Sequence, residues 1–195
     1  MDSIMDITEL EKGKRAKKMM LWFGIVSLSM TFAGLTSAYV VSGSSRPDWL
    51  SDLRLPTAFF ISTVVLLLSS FLFWTAKKSI KNQKYKQATL LLWSVFVCGI
   101  AFIVLQFSGF SEFVSQGYYF TGSESNVTVS YIYIIAFLHI VHVIAGLLVV
   151  LTLIYKHTKR KYTPENTLGI DLGLTFWNFL DLLWLYLIIF FYFYR

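Results

Sequence analysis

Apolar residues run along the chain in five long blocks separated by shorter polar or charged stretches. The blocks are Met19 to Val41, Thr57 to Ala76, Ala88 to Phe110, Tyr131 to Ile154 and Leu172 to Tyr194. Each has the roughly 20 residues that a helix needs to cross a hydrocarbon core of about 30 Å. Membrane-barrel strands are only about ten residues long and alternate in polarity, whereas these runs are apolar on most sides. All three prolines, Pro47, Pro56 and Pro164, fall between the blocks, where proline marks a turn or a helix start without breaking a hydrogen-bond ladder. The pattern predicts an all-α, polytopic membrane protein: a hydrophilic segment 1–18, then a single membrane domain 19–195 made of five transmembrane helices.

Composition supports that reading. Of 195 residues, 56% are hydrophobic and only 14% charged, against roughly 25% charged in a soluble domain. Too few polar residues remain to cover a water-soluble surface, and disorder is excluded on the same ground. The net charge of +6 would suit nucleic acid only if the basic residues shared one solvated face, and here they alternate with apolar blocks. Their distribution instead sets orientation, because basic loops stay on the cytoplasmic side. Lys12, Lys14, Arg15, Lys17 and Lys18 precede the first block, Lys77, Lys78, Lys81, Lys84 and Lys86 follow the second, and Lys156, Lys159, Arg160 and Lys161 follow the fourth. Only Arg46, Arg54 and Arg195 fall on the other side. The N-terminus is therefore expected in the cytoplasm and the C-terminus in the periplasm. Trp22, Trp74, Trp93 and Trp177 lie near the cytoplasmic ends of four blocks, where an aromatic belt is expected. The first block is longer than the 7 to 15 apolar residues of a cleavable signal and reads as a retained span. The lone Cys98 reads as a buried, inert thiol, and Asn126-Val127-Thr128 as a chance match to a glycosylation acceptor.

Polar residues at membrane depth are the candidate chemistry. Asp181 is the one charged residue deep in a span, where it must face protein or water, find a partner or carry a proton. Asn178 and Trp184 stand three residues before and after it, on one helical face. His139 and His142, also three apart, lie in the middle of the fourth span, with Gly146 continuing their face. A contact between His142 and Asp181 on neighbouring antiparallel helices is the expected anchor. Haem or metal ligation by the histidines is disfavoured, because bis-histidine haem needs ligands from two helices and the remaining histidine, His157, is in a loop. Gly24, Ser27, Thr31, Gly34 and Ala38 form a small-residue stripe on the first span, and such stripes let helices approach closely in lipid. The covering helix can belong to this chain or to a partner. No Walker loop, dinucleotide fingerprint, nucleophile elbow or zinc signature appears. Five spans do not divide into two equal inverted repeats, which argues against a small transporter.

Four stretches resemble subunit III of haem-copper terminal oxidases. His139-Ile-Val-His142-Val-Ile-Ala-Gly146 looks like that family's HxxHxxxG helix. Phe176-Trp177-Asn178-Phe179-Leu180-Asp181-Leu182-Leu183-Trp184-Leu185-Tyr186 is similar to its closing WHFVDVVWLFL helix. Phe32-Ala33-Gly34-Leu35-Thr36-Ser37-Ala38-Tyr39-Val40 resembles its FAGLxSAYxx stretch, and Leu105-Gln106 its LQ pair. The resemblance runs from about Lys17 to the C-terminus and matches the short, five-helix bacterial form. It implies a non-catalytic subunit that holds no haem or copper itself, those cofactors residing in partner subunits. It further implies packing on the catalytic subunit I, bound phospholipid, support of proton uptake and stability, and residence in a bacterial inner membrane, with a larger respiratory supercomplex as a further partner. A quinol oxidase is the alternative within the class; a small transporter or a haem-binding membrane protein is the alternative outside it. On this resemblance His139, His142, Gly146, Asn178, Asp181 and Trp184 are structural motif positions, with no catalytic, cofactor or metal role. Two positions depart from the family: its usual glutamate falls at Leu28, and a histidine of its last helix at Asn178.

Overall fold

The computed structural model describes residues 2–45, 55–120, 127–160, 162 and 167–194, with side chains from residue 11 onward. Over these residues the chain forms five α-helices: α1 (Asp2–Ser45), α2 (Thr57–Lys81), α3 (Tyr85–Ser115), α4 (Val127–Thr158) and α5 (Leu168–Phe193). All five are long and apolar enough to cross a membrane, as the block pattern predicts. Pro47, Pro164, Arg46, Arg54, Asn126, Lys161 and Arg195 lie outside the described residues.

The helices overrun the apolar blocks, because hydropathy marks the lipid boundary whereas the backbone stays helical wherever good helix formers follow. α1 shows this most strongly. Its 44 residues span about 66 Å at 1.5 Å per residue, since the Glu-, Lys- and Arg-rich segment before the membrane favours helix. α2 ends in a Schellman turn: Lys84 N–H donates to Ser79 O, Gln83 N–H to Ile80 O, and Gln83 takes the left-handed conformation (φ 57°) that glycine usually fills. α3 ends the same way on Gly117, at φ 85°.

Four helices close a ring in which α2 packs on α3 and α5, and α4 packs on α3 and α5. Among the described helices α1 stands outside the ring and packs on α4 and α5. The α2–α3 hairpin has a heptad seam. Its buried positions are Phe59, Ser62, Leu66, Ser69, Phe73, Ala76 and Ile80 on α2, and Leu92, Val95, Gly99, Phe102, Gln106, Gly109 and Phe113 on α3. Alternating steps of three and four keep one stripe facing its partner, and small residues within it let backbones close up where lipid supplies no hydrophobic drive. The outward positions are large and apolar, as Phe71, Leu90, Val104 and Leu182 illustrate.

α1 is held by a few large side chains. Phe32 and Tyr39 are fully buried; Phe32 sets its edge on His142, and Tyr39 its edge on Tyr131 and Phe190. Hydroxyl pairs add direction: Thr36 with Tyr186 at 3.1 Å, and Ser42 with Tyr131 at 3.0 Å.

Candidate functional site

The singled-out polar residues of α5 share one partner helix, α2, whereas the two histidines of α4 do not meet it. Asp181 and Asn178 both meet Ser70: its hydroxyl lies 2.9 Å from Asn178 Oδ1 and hydrogen-bonds to Asp181 Oδ2. The expected His142–Asp181 anchor is not formed. His142 instead bonds through Nδ1 to the Leu138 carbonyl at 2.7 Å and faces Phe32 of α1. The 178/181 face of α5 turns toward α2, not α4, so equal depth on neighbouring helices did not bring the two groups together.

α2 serves α5 twice more. Trp177 Nε1–H donates to Ser69 Oγ at 2.9 Å, and Trp184 Nε1–H to Thr63 Oγ1 at 3.1 Å. Ser62 accepts from Gln106 Nε2 at 2.7 Å, tying in α3. The Ser62-Thr63 and Ser69-Ser70 pairs are seven residues apart, so they repeat on one face of α2 and supply its cross-helix bonds. Interhelical hydrogen bonds in membranes average about 0.6 kcal/mol and reach about 1.7, so this ladder orients helices as much as it stabilises them. Sequence reasoning passed over these residues, although the repeated Ser/Thr pair inside an apolar run was a readable signal.

His139 is fully buried. It stacks on Trp184, with ring centroids 5.1 Å apart and planes at 27°, and Phe102 and Phe32 set their edges against it. It packs as a flat ring, and neither nitrogen has a protein partner among the described residues. His139 and His142 share Phe32 as a ring neighbour, and no group of three or more His, Cys, Asp or Glu side chains among the described residues could hold a metal. Gly146 lets α5 approach α4: a Cβ there would stand 2.9 Å from Leu180 Cδ1 and 3.3 Å from the Trp177 ring.

Trp177 therefore does not belong to the aromatic belt. It is 1% exposed, whereas Trp22, Trp74 and Trp93 are about half exposed or more. Cys98 is only partly buried.

The small-residue stripe of α1 lies away from the bundle. Gly24, Ser27, Thr31 and Gly34 are exposed and Ala38 partly so, and a Cβ at Gly24 or Gly34 would meet nothing within 4 Å. The face α1 buries in this chain is the adjacent one, with Ile25, Phe32, Thr36 and Tyr39. Grooves flank α1 on both sides. One, of about 510 Å³, runs between Leu21 and the α4–α5 pair, with Thr152, Lys156 and Tyr162 as its polar residues. The other, of about 600 Å³, is nearly all apolar and runs from Thr31 and Leu35 to Phe107 and Phe137. Beside the first groove Tyr162 packs on Gly169, and burial pushes its hydroxyl pKa up. Lys77 on α2 pairs with Asp171 on α5 at 2.7 Å, fastening the same end of the ring.

Residues 19–195 match the family model described as cytochrome c oxidase subunit III. The chain is 26% identical to cytochrome c oxidase subunit 3 of Thermostichus vulcanus, over 84% of this chain and 80% of that one. It is 25% identical to cytochrome bo(3) ubiquinol oxidase subunit 3 of Buchnera aphidicola subsp. Acyrthosiphon pisum, over 90% and 85%. It is 27% identical to cytochrome c oxidase subunit 3 of Bacillus sp. (strain PS3), over 85% and 80%.

Proposed function

The chain belongs to the cytochrome c oxidase subunit III family, and from that premise we propose that it docks on the catalytic subunit I of a proton-pumping terminal oxidase through the outward face of α1. It is an accessory, multi-pass membrane subunit, and it associates with other oxidase subunits. The observation that carries the docking reading is the stripe of Gly24, Ser27, Thr31 and Gly34, exposed in this chain and open above its glycines. A face shaped for close helix approach that none of the described helices covers suits a helix of another subunit.

The finer role follows from the same surfaces. The groove beside α1 takes the acyl chain of a phospholipid, with Lys156 and Thr152 at its polar end, and the lipid fills the space between α1 and the ring. The chain thereby supports the stability and proton uptake of the catalytic subunit, in a bacterial inner membrane with the N-terminus inside and the C-terminus outside. The buried His139, Gly146, Asp181 and Trp184 and the partly buried His142 and Asn178 serve this role by fixing the ring that presents α1. Both cytochrome c and ubiquinol oxidase subunits are among the relatives, so the donor is read on other subunits.

Gly34→Leu tests the docking directly. A Cβ there meets no described atom within 4 Å, so the isolated subunit keeps its fold while the complex loses it during purification. Co-purification of the variant at the wild-type ratio would overturn the assignment of that face.

A further inference from the structure

The geometry points to a headgroup site for an anionic phospholipid at the turn between α2 and α3, built by Lys84, Lys86 and Arg160. A concavity of about 540 Å³ is lined by these three cations with Gln83, Tyr85 and Gln87. No acidic side chain lines it, and no ion pair is formed by any of the three cations among the described residues. His157 brings them together: its Nε2 lies 3.2 Å from the Tyr85 carbonyl oxygen, so the end of α4, with Arg160 in the turn that follows it, is held against the first turn of α3. The only two non-glycine residues with positive φ among those described, Gln83 and Arg160, both line this concavity.

Depth selects a lipid over a soluble anion. Lys86 and Lys84 stand two and four residues before Ala88, where the apolar block begins, or about 3 and 6 Å along the axis. Arg160 stands six residues beyond Ile154, four of them helical and about 6 Å along the axis, the last two turning back at the end of α4. The headgroup layer on each side of the hydrocarbon is about 5 to 8 Å thick, so the cations border the plane of lipid phosphates. The site rests on the helices crossing a membrane, not on the oxidase reading, and it is separate from the groove at Lys156.

Native mass spectrometry of the full chain, released from micelles containing phosphatidylglycerol or phosphatidylcholine, tests it. Each basic residue near an anionic surface is worth roughly a fivefold preference, so Lys84→Gln, Lys86→Gln and Arg160→Asn together should lower the preference for phosphatidylglycerol roughly a hundredfold. Removing the same charge at Lys14, Lys18 and Lys81 should leave it within about twofold. An unchanged preference in the site variant, an equal loss in the control, or displacement of phosphatidylglycerol by millimolar inorganic phosphate would each overturn the site.

Discussion

Removing the Ser70 hydroxyl should cost more than an ordinary serine in an apolar helix. Ser70 Oγ serves both Asn178 and Asp181, so Ser70→Ala leaves the buried Asp181 and the partly buried Asn178 of α5 without their partner on α2. At about 0.6 to 1.7 kcal/mol for each interhelical bond, the expected loss is about 1 to 3 kcal/mol. Among the described residues Asp181 Oδ1 has no hydrogen-bond partner. The comparison is Ser94→Ala, whose hydroxyl bonds only to the Leu90 carbonyl of its own helix and whose loss should cost under about 0.5 kcal/mol. Unfolding of the purified chain in mixed micelles by increasing denaturing detergent reads both variants. A double-mutant cycle with Asp181→Asn isolates the coupling, expected at 0.6 kcal/mol or somewhat more by the same scale. If Ser70→Ala matches Ser94→Ala, and the cycle is additive within about 0.3 kcal/mol, the α2–α5 polar contact does not hold the ring.

Three further outcomes follow from the packing. Gly146→Leu should destabilise the chain by about 1 to 3 kcal/mol through overpacking, because Leu180 and Trp177 occupy the space; a wild-type unfolding midpoint would mean α4 and α5 are not in close contact. Tyr162 has its pKa raised by burial, so it stabilises the fold below the ordinary tyrosine value of about 10 and loses that contribution as pH climbs through the raised value; Tyr162→Phe should remove this alkaline loss, and an unchanged alkaline unfolding profile would refute it. In a Cys98→Ser background, Glu112→Cys should react with a membrane-impermeant maleimide in intact cells, and Lys81→Cys only after permeabilisation. The reverse labelling would invert the orientation.

The five helices were legible because each apolar block is long enough to cross lipid, and their ends were not, because hydropathy reports the solvent and not the backbone. The partner of Asp181 was missed for a related reason. Depth along a helix can be counted from sequence, but rotation about its axis depends on packing, and nearly uniform apolarity hides which face turns inward. Trp177 shows the same limit: it sits at belt depth yet turns inward to Ser69. Where small or polar residues punctuate the apolar runs the face could be read, as with Ser62, Ser69 and Ala76 on α2 and Gly99, Gln106 and Gly109 on α3. The α1 stripe was visible in the same way, but that none of the described helices covers it emerged only from the fold. Family motif residues were recognisable as a set; their division into a packing ring at His139 and Trp184 and a polar contact at Asn178 and Asp181 required coordinates.

Affinity purification of the tagged full chain from its native membranes, read by mass spectrometry and by the haem absorbance of the eluate, tests the accessory-subunit assignment most directly. The chain should elute with a catalytic oxidase subunit and its haem spectrum, and should lose both, while remaining folded, when Gly34 is replaced by leucine. A wild-type chain that elutes with no oxidase subunit, or that carries a haem absorbance by itself, would contradict it.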